Sequence, residues 1–257
     1  MKAMILAAGF GTRLKPLTET IPKALVPVHG MPMLEFIIRK LKNCGVTEIV
    51  INLHHFPDQI KDFVRKNNSF DIHVEFSIEA DILGTGGGIQ KAASFLKTSD
   101  PFIVHNVDIL STADLKTAID FHRAGKNIAT LVVKERKTTR FLLIDEMNQI
   151  CGHEDVIRKR TRLRREPVGS VRRLGFCGIH VISPEIFNLM AREGRFSIID
   201  TYLDLIEKGY SVGGYDITGN YWRDIGKVFS LNELEEDFGN GVVSVDDLIL
   251  CKKHQEK

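Results

Sequence analysis

Short apolar runs alternate with amphipathic stretches along the first half of the chain. The mostly apolar runs at 2–7 and 48–53 have the length of strands and predict buried ones. Between them, Leu34, Ile37 and Leu41 recur at helical spacing and predict a helix. The same alternation continues, with predicted strands at 72–76, 101–105 and 127–133 and predicted helices at 57–64, 88–96 and 111–125. This order predicts an α/β protein with a Rossmann-like, mostly parallel central sheet and helices on both faces.

The second half of the chain is less regular. Two short runs at 141–144 and 149–151 predict a hairpin, and a basic segment, 158–173, follows it. No repeat or linker interrupts the chain, so we expect a single domain, 1–257, with a soft boundary near residue 135. The remaining predicted strands are 175–182 and 211–217, the remaining predicted helices are 184–191, 198–208 and 231–238, and the tail 251–257 is expected to be frayed.

Composition and charge narrow the class of protein. Hydrophobic residues make up 43% of the chain, enough for a substantial core, and 35 Lys and Arg nearly balance 33 Asp and Glu. A balanced charge gives no general attraction to nucleic acid, and the apolar runs are too short to span a membrane. We therefore expect neither nucleic-acid nor membrane partners.

Cysteine usage and the N-terminus bear on localisation. The N-terminus lacks the layout of a signal peptide, because its first apolar run is short and leads directly into a glycine-rich loop. Well-separated cysteines without a CxxC pair are typical of free thiols in a reducing compartment. We therefore expect a cytoplasmic protein. The cysteines are Cys44, Cys151, Cys177 and Cys251.

A glycine-rich loop follows the first predicted strand. Gly9 and Gly11 would let backbone N–H groups approach a phosphate, and Arg13 supplies a cation beside them. The loop has neither the Gly-Lys-Ser/Thr of a Walker A sequence nor the third glycine of the dinucleotide-binding motif. A tight turn would explain the glycines alone, but Lys23, set between Pro22 and an apolar segment, indicates a lysine held near a site. The loop therefore predicts phosphate binding.

The whole segment LAAGFGTRLKPLTETIPKAL, at 6–25, resembles the N-terminal signature of the sugar-1-phosphate nucleotidyltransferases. Four further motifs of that family follow in order, at 83–87, 106–108, 175–179 and 221–226. The resemblance implies a GT-A-like fold with a nucleotide-binding half, 1–134, and a sugar-phosphate-binding half, 135–257, that contains a small acceptor-binding subregion. It also implies a short form, because the chain ends soon after the last motif, without the long C-terminal β-helix of some relatives.

The reaction that this family catalyses is transfer of a nucleotidyl group from an NTP to a sugar 1-phosphate, with release of pyrophosphate. The acceptor is already an anion, so the site needs cations, backbone amides and Mg²⁺ rather than a protein nucleophile. The resemblance implies that Arg13 bridges the β- and γ-phosphates and that Lys23 contacts the α-phosphate or the acceptor phosphate. With Asp108, these are the implied catalytic residues. The implied nucleotide-binding residues are Leu6, Ala8, Gly9, Gly11, Thr12, Arg13, Glu79 and Gly84.

Two aspartates are the implied metal ligands. Asp108 follows the predicted strand 101–105, at the edge where open α/β sheets bind ligands, and Asp224 belongs to the last motif. Taken alone, Asp108 fits a helix N-cap equally well. The pair in its motif context favours a Mg²⁺ site made of hard oxygen ligands.

The residues near the base and the acceptor are implied with less detail. The resemblance places the glycine-rich loop 83–88 at the nucleobase and sugar, and Glu79 either accepts a hydrogen bond from the nucleoside or is a plain surface carboxylate. The segment NLHH at 52–55 is similar to the subgroup that contains the N-acetylmuramate-1-phosphate uridylyltransferases. We expect its adjacent histidines to be loop residues rather than metal ligands, since they point to opposite faces of an extended segment. The implied acceptor-binding residues are Asn106, Gly175 and Gly178.

The basic run 158–165 departs from the family, which usually supplies an acceptor cation from a Glu-Lys-Pro triplet that this chain lacks. Like charges repel, which favours a solvated surface loop. The lack of that cation instead favours a mobile cover over the acceptor phosphate, with Arg160 and Arg162 as sugar-phosphate ligands. If the segment is only a surface loop, the acceptor cation is to be sought at Lys134, Arg136 or Lys227. If the segment is extended, its alternation puts four cations on one face: Arg158, Arg160, Arg162 and Arg164. The run has no interleaved aromatic residue for stacking on nucleic acid.

Two functions from different classes remain open. The first is a Mg²⁺-dependent enzyme, with uridylyl transfer to an amino sugar 1-phosphate ahead of guanylyl or thymidylyl transfer to a hexose 1-phosphate. The second is a catalytically silent, ligand-sensing regulatory subunit with the same fold. Retention of both cations and both aspartates favours the enzyme. The sequence leaves open whether the chain forms a homo-oligomer.

Overall fold

Helices alternate with strands along the part of the chain that the computed structural model describes, residues 1–251. The predicted fraying of the tail falls on residues 252–257 and lies outside the described residues. The helices are α1 (Met33–Asn43), α2 (Pro57–Lys66), α3 (Gly84–Lys91), α4 (Ala93–Leu96), α5 (Leu115–Ala124), α6 (Ile186–Leu189), α7 (Ile198–Glu207), α8 (Val228–Gly239) and α9 (Val245–Ile249).

The predicted strands are all present, with bounds shifted by a few residues. Short strands between the predicted elements were missed, since two- and three-residue strands carry no periodicity that a sequence reveals. Either Ser111 or Thr112 was expected to cap a helix, but Ser111 belongs to one of these strands and the helix begins at Leu115. The strands are β1 (Lys2–Leu6), β2 (Pro27–Val28), β3 (Met31–Pro32), β4 (Glu48–Leu53), β5 (His73–Ile78), β6 (Phe102–Asn106), β7 (Ile109–Ser111), β8 (Ala129–Lys134), β9 (Arg140–Ile144), β10 (Ile150–Asp155), β11 (Arg160–Leu163), β12 (Arg172–Ile182), β13 (Val212–Asp216) and β14 (Trp222–Asp224).

Packing divides the chain into two compact units, each made of separate stretches. Unit 2 comprises residues 83–104 and 117–219, and unit 1 comprises the rest. Unit 1 therefore contains both the N-terminal strands and the motif around Asp224. The boundary near residue 135 was predicted between a nucleotide-binding half and a sugar-phosphate-binding half. This division by ligand is different from the division by packing, and it stays a prediction.

Unit 1 is built on parallel strands. β4 lies between β1 and β5, with Asn52 opposite Leu6 on one side and Ser77 on the other. The carboxyl ends of all three strands meet at one edge, so the loops that follow them come together there. The predicted α/β fold with a mostly parallel central sheet is confirmed.

Helix α1 packs its predicted apolar face into the core of unit 1. Leu34, Ile37 and Leu41 are at most 1% exposed, which confirms the helical spacing. Lys40 is buried as well, and its Nζ donates a hydrogen bond of 2.6 Å to the backbone oxygen of Ser111 in β7. Burial lowers the pKa of Lys40 to about 8. The lysine thus ties α1 to the short strand that follows Asp108.

The prediction of free thiols is wrong for two of the cysteines. Cys44, just after α1, and Cys251 form a disulfide with Cα atoms 5.6 Å apart. Helix α9 packs on α1 and brings the two together across 207 residues of sequence, a proximity that spacing does not reveal. Cys151 and Cys177 are buried thiols outside that disulfide, and each donates a hydrogen bond to a backbone oxygen.

Unit 2 is built largely on antiparallel strands. β12 pairs with both β8 and β9, β10 lies between β9 and β11, and β13 adds a parallel pair with β8. β9 and β10 form the predicted hairpin. The expectation of an irregular loop is wrong for Arg160–Leu163, which forms β11, because backbone pairing with β10 holds the basic residues apart in extended conformation.

Asp145 anchors the turn between β9 and β10. It is fully buried, and its Oδ2 accepts a hydrogen bond of 2.6 Å from Nη2 of Arg165. Burial on its own would raise the pKa of Asp145, but hydrogen bonds from Arg165 and from the backbone N–H groups of Gln149 and Val168 outweigh it and hold that pKa below 3.8. Part of the basic segment is therefore structural.

No helix among residues 1–251 is both long enough and apolar enough to cross a membrane.

Arg165→Ala should lower the free energy of unfolding by about 3 kcal/mol, because it leaves a buried carboxylate without its cation. Since the folded pKa of Asp145 is lowered, this contribution is complete at neutral pH and is lost as the pH falls through 3.8 towards the lowered value. Denaturant unfolding at neutral and acidic pH measures both effects. Arg192→Ala, which breaks an exposed 2.7 Å pair with Asp204, is the control and should cost less than about 1 kcal/mol. Equal losses in the two variants would contradict the prediction.

Candidate active site

Antiparallel pairing of β7 with β14 brings the two predicted metal ligands together. Asp224 lies opposite Ile109, the residue that follows Asp108. The backbone N–H of Ile225 donates a hydrogen bond of 2.9 Å to the backbone oxygen of Asp108. The two aspartates, far apart in sequence, are thus fixed side by side by backbone hydrogen bonds.

The position of Gly226 shows how closely the charged groups converge. A Cβ added there would lie 2.8 Å from Oδ2 of Asp108, 2.9 Å from Oδ1 of Asp224 and 2.9 Å from Nη2 of Arg13. The backbone N–H of Gly226 donates a hydrogen bond of 2.8 Å to the same oxygen of Asp224. Two carboxylate oxygens and a guanidinium therefore surround a space that only a glycine leaves open.

Lys23 completes this cluster. Its Nζ donates a hydrogen bond to Oδ2 of Asp108, and both side chains are 13% exposed. The lysine begins a single 3₁₀ turn, Lys23–Leu25, that follows the extended Pro22. Its predicted contact with a phosphate stays a prediction.

The glycine-rich loop after β1 is held by Thr18. Gly11 has a φ of 66°, and a Cβ on it would lie 2.8 Å from Cγ2 of Thr18. The Thr18 hydroxyl donates a hydrogen bond of 2.8 Å to the Gly11 backbone oxygen. The turn therefore requires glycine at this position, and Arg13 follows in the exposed 3₁₀ turn Thr12–Leu14.

A buried hydrogen-bond network lies beneath this loop. The backbone N–H of Ala7 donates to Oδ1 of Asn52, and Nδ2 of Asn52 donates to Oε1 of Glu79, each over 2.7 Å. Glu79 is only 2% exposed, which excludes a plain surface carboxylate. Its predicted contact with the nucleoside stays a prediction. The network joins the ends of β1, β4 and β5.

The two adjacent histidines after β4 belong to the surroundings of the loop. Nδ1 of His54 is 2.9 Å from the Glu79 backbone oxygen, and the rings of His54 and His55 lie 5.2 and 5.5 Å from the Phe10 ring. No group of three or more His, Cys, Asp or Glu that could hold a metal occurs in the described part of the chain. A cavity of about 420 Å³ beside the loop is lined by Phe10, Thr12, Lys15, Thr18, Glu19 and His55.

The expectation of a glycine-rich loop at 83–88 is wrong, because Gly84–Lys91 forms helix α3 of unit 2, and its glycines are required by packing. Gly84 has a φ of 70°, and a Cβ there would lie 2.6 Å from the Phe196 backbone oxygen. Side chains on Gly86 and Gly87 would collide with the Phe196 ring and with the Gly194 backbone. Close contact with the segment before α7 thus explains these glycines, and the nucleotide contact of Gly84 stays a prediction.

The predicted acceptor-binding glycines lie on β12. A Cβ on Gly175 would lie 2.6 Å from Nε of Arg136, whose Nη2 donates a hydrogen bond of 2.8 Å to the Phe176 backbone oxygen. Gly178 has a φ of 75°. Gly175 therefore makes room for Arg136, one of the three alternative sources of the acceptor cation. Asn106 ends β6 and belongs to unit 1.

Strand β11 and the turn before it place three of the predicted cations at one cavity of unit 2. Arg158, Arg160 and Arg162 line this cavity, which measures about 450 Å³. The prediction is wrong for Arg164, which follows the end of the strand and pairs with Glu207 over 2.8 Å instead. The alternation of side chains between two faces requires extended backbone, and it stops where β11 ends, at Leu163.

Comparison with known proteins agrees with this geometry. The nucleotidyl transferase family model matches residues 2–240. The chain belongs to this family. It is 31% identical to a mannose-1-phosphate guanyltransferase of Kluyveromyces lactis over 95% of the chain, and 29% identical to a UTP–glucose-1-phosphate uridylyltransferase of Synechocystis over 89%. It spans 64% and 61% of the length of these two relatives.

Solved structures share the fold. A putative glucose-1-phosphate thymidylyltransferase from Bacillus anthracis superposes with a TM-score of 0.77 at 21% identity, covering 92% of this chain and 94% of that one. HddC from Yersinia pseudotuberculosis, complexed with GMP-PN, gives a TM-score of 0.71 at 27% identity, covering 92% and 99%. The expected GT-A-like fold of the family is thus confirmed.

Sequence reasoning quoted the family motifs of this chain but missed what two residues in or near them do. Gly226 leaves open the space between the charged groups, and the available signal was its place two residues after Asp224. Asn52 supports the glycine-rich loop, and the available signal was a polar residue near the end of a mostly apolar strand.

Gly226→Ala should weaken Mn²⁺ binding by about 10- to 100-fold, because the added methyl group displaces the carboxylates that would share the ion. The fold should persist, since the atoms it meets are ends of side chains. Calorimetric titration with Mn²⁺ and thermal unfolding measure the two effects. Gly239→Ala is the matched control, since its Cβ would meet nothing within 4 Å. Equal Mn²⁺ affinity in the two variants would exclude this site as the one that holds the ion.

Proposed function

We propose that this chain transfers a nucleotidyl group from an NTP to a sugar 1-phosphate and releases pyrophosphate. The observation that carries the proposal is the convergence of Asp108, Asp224 and Arg13 on the space at Gly226, with Lys23 beside them. Family membership supports the reaction class. Two polyanions must meet in this reaction. A cluster of fixed cations and metal-binding carboxylates would position them and offset the repulsion between their charges.

Mg²⁺ is the proposed cofactor. The donor set fits it, because two carboxylate oxygens lie within 2.9 Å of one point and hard oxygen ligands are those that Mg²⁺ prefers. Asp108 and Asp224 would hold the ion, which would shield the phosphate charges. The Gly226 N–H keeps Oδ1 of Asp224 oriented towards this point.

Arg13 and Lys23 are the proposed electrostatic catalysts. Arg13 lies on an exposed turn directly after the glycine-rich loop, where it would accompany the departing pyrophosphate. Lys23 already binds Asp108, so a phosphate that approaches this carboxylate meets the ammonium as well. Neither residue needs to accept a proton, because the attacking oxygen belongs to a phosphate anion.

The NTP would occupy the edge formed by β1, β4 and β5. The loop that begins with Leu6 and Ala8 and includes Gly9 and Thr12 would bind its phosphates, and the neighbouring cavity with Phe10 offers an aromatic wall to a base. We retain uridylyl transfer to an amino sugar 1-phosphate as the leading specificity, with guanylyl or thymidylyl transfer to a hexose 1-phosphate as alternatives. The named relatives include both guanyl- and uridylyltransferases.

A silent sensor subunit is the second candidate function. It needs a ligand site but no metal ligands, whereas this chain keeps the aspartates and both cations in one cluster. The proposed localisation is cytoplasmic, where NTPs and sugar phosphates are made. It rests on those substrates and not on the cysteines, two of which form a disulfide.

The deciding experiment combines each of UTP, GTP and dTTP with a panel of sugar 1-phosphates and measures pyrophosphate release. At least one pair should react only with a divalent cation present, and EDTA should abolish the reaction.

Asp108→Asn and Asp224→Asn should each lower kcat by about 100-fold or more, since each removes an anchor of the ion. Asp62→Asn is the control, because that exposed side chain lies on α2, where it pairs with Arg65. Undiminished rates in EDTA would refute the metal assignment, and no release with any pair would favour the sensor.

Arg13→Ala and Lys23→Ala should each lower kcat more than they raise KM for the NTP. Both cations act on charge that shifts during the reaction, and one such oriented donor is worth about 2–4 kcal/mol of barrier. Steady-state kinetics with the best substrate pair measure the split. Lys66→Ala, on the exposed end of α2, is the control and should behave as the parent. A rise in KM alone would limit the two side chains to ground-state binding.

A further inference from the structure

Arg223 joins the strand of a proposed metal ligand to the helix that follows it. It is the middle residue of β14 and directly precedes Asp224. Neighbouring side chains of an extended strand point to opposite faces, so Arg223 lies on the other face of β14 from Asp224. Its Nη1 donates to Oε2 of Glu233 over 2.5 Å, and its Nη2 donates to Oδ2 of Asp237 over 2.6 Å. Both carboxylates belong to α8, where they lie one turn apart.

The Tyr221 hydroxyl completes a closed network around this guanidinium. It accepts a hydrogen bond of 3.0 Å from Nε of Arg223 and donates one of 2.5 Å to Oδ2 of Asp237. The side chain of Arg223 is 22% exposed and that of Asp237 is 19% exposed, so water and salt screen this pair less than a surface ion pair. Three different groups, the two carboxylates of α8 and the Tyr221 hydroxyl, therefore hold the guanidinium in one orientation.

The network encloses the part of the site that comes from the last motif. Between Arg223 and α8 lie Asp224 and Gly226, whose backbone N–H donates to Oδ1 of Asp224 over 2.8 Å. At the other end of β14, the backbone of Tyr221 accepts a hydrogen bond of 3.0 Å from the Thr112 N–H and donates one of 3.1 Å to the Thr112 hydroxyl, directly after β7. All of these residues belong to unit 1. β14 is thus tied to β7 by its backbone and to α8 through Arg223.

The tie to α8 matters because the strands that carry the site are short. β7 and β14 have three residues each and form a two-stranded sheet. A two-stranded pair is marginally stable by itself, so its geometry depends on the elements packed against it. Helix α8 packs on both β2 and β14 and gives the pair a support within unit 1.

We propose that Arg223 is a positioning residue of the metal site: by joining β14 to α8, it fixes the direction in which Asp224 presents its carboxylate. This inference rests on the proposed function, because it takes Asp108 and Asp224 as the ligands of the divalent cation. Positioning and simple charge repulsion predict opposite results when Arg223 is removed. A cation near the site repels a metal ion, so loss of its charge alone would strengthen metal binding, whereas loss of the support for Asp224 weakens it.

Calorimetric titration of the intact chain with Mn²⁺ tests the proposal. Arg223→Met keeps a long side chain without its donors and should weaken Mn²⁺ binding by about tenfold, as the loss of groups that orient metal ligands commonly does. Tyr221→Phe leaves the charge unchanged and removes one of the three partners of the guanidinium, so it should weaken binding by a smaller factor, about threefold.

Two control variants lie on α2 of the same unit. Arg65→Met removes an exposed guanidinium that pairs with Asp62 and should leave the Mn²⁺ affinity within about twofold of the parent. Val64→Ala, at a buried position, should lower the midpoint of thermal unfolding without changing that affinity. An equal loss of affinity in Val64→Ala and Arg223→Met would assign the effect to general destabilisation and overturn the inference.

The remaining outcomes separate this inference from the proposed function. If the parent binds Mn²⁺ and loses it in Asp224→Asn, but Arg223→Met binds with equal or greater affinity, the positioning role is overturned and the metal assignment stands. If Arg223→Met does not fold, Tyr221→Phe decides, and an unchanged Mn²⁺ affinity in that variant overturns the inference. If the parent binds no Mn²⁺, the metal assignment fails and the inference fails with it.

Discussion

Two carboxylates fixed side by side are the constraint on which unit 1 depends. Asp108 and Asp224 would repel each other in isolation, and the antiparallel pairing of β7 with β14 leaves them no freedom to separate. Lys23 and Arg13 supply the compensating charge. The arrangement is stable because cations are built into it. In the proposed reaction, a phosphate that enters would meet charges already held in place.

Much of unit 1 serves to keep this cluster in position. The glycine-rich loop is supported from below by Asn52 and Glu79, which tie the ends of three parallel strands together. Lys40, buried in α1, holds the backbone of Ser111 and so the strand that pairs with β14. Buried polar groups are costly unless they are satisfied, and here each one fixes a backbone segment of the site.

Unit 2 uses charge and glycine differently. Asp145 takes one arginine of the basic segment into the structure, and pairing in β11 spreads others along the wall of a cavity. Gly175 lets Arg136 approach the strand backbone. A run of cations that would repel itself in a loop is thus separated by strand geometry and by carboxylates of neighbouring elements.

The sequence by itself determined the order of the longer strands and helices, the glycine-rich loop after β1 and the identities of the charged residues, because these follow from local periodicity and short motifs. It did not determine β7, β14 or the disulfide of Cys44 with Cys251, since pairing between distant segments leaves no periodic trace. The burial of Glu79, the space at Gly226 and the cavity that collects Arg136 with Arg160 were decided only by tertiary structure. All three have the same physical reason, because the partners of a side chain and its access to water are set by the residues that the fold packs against it.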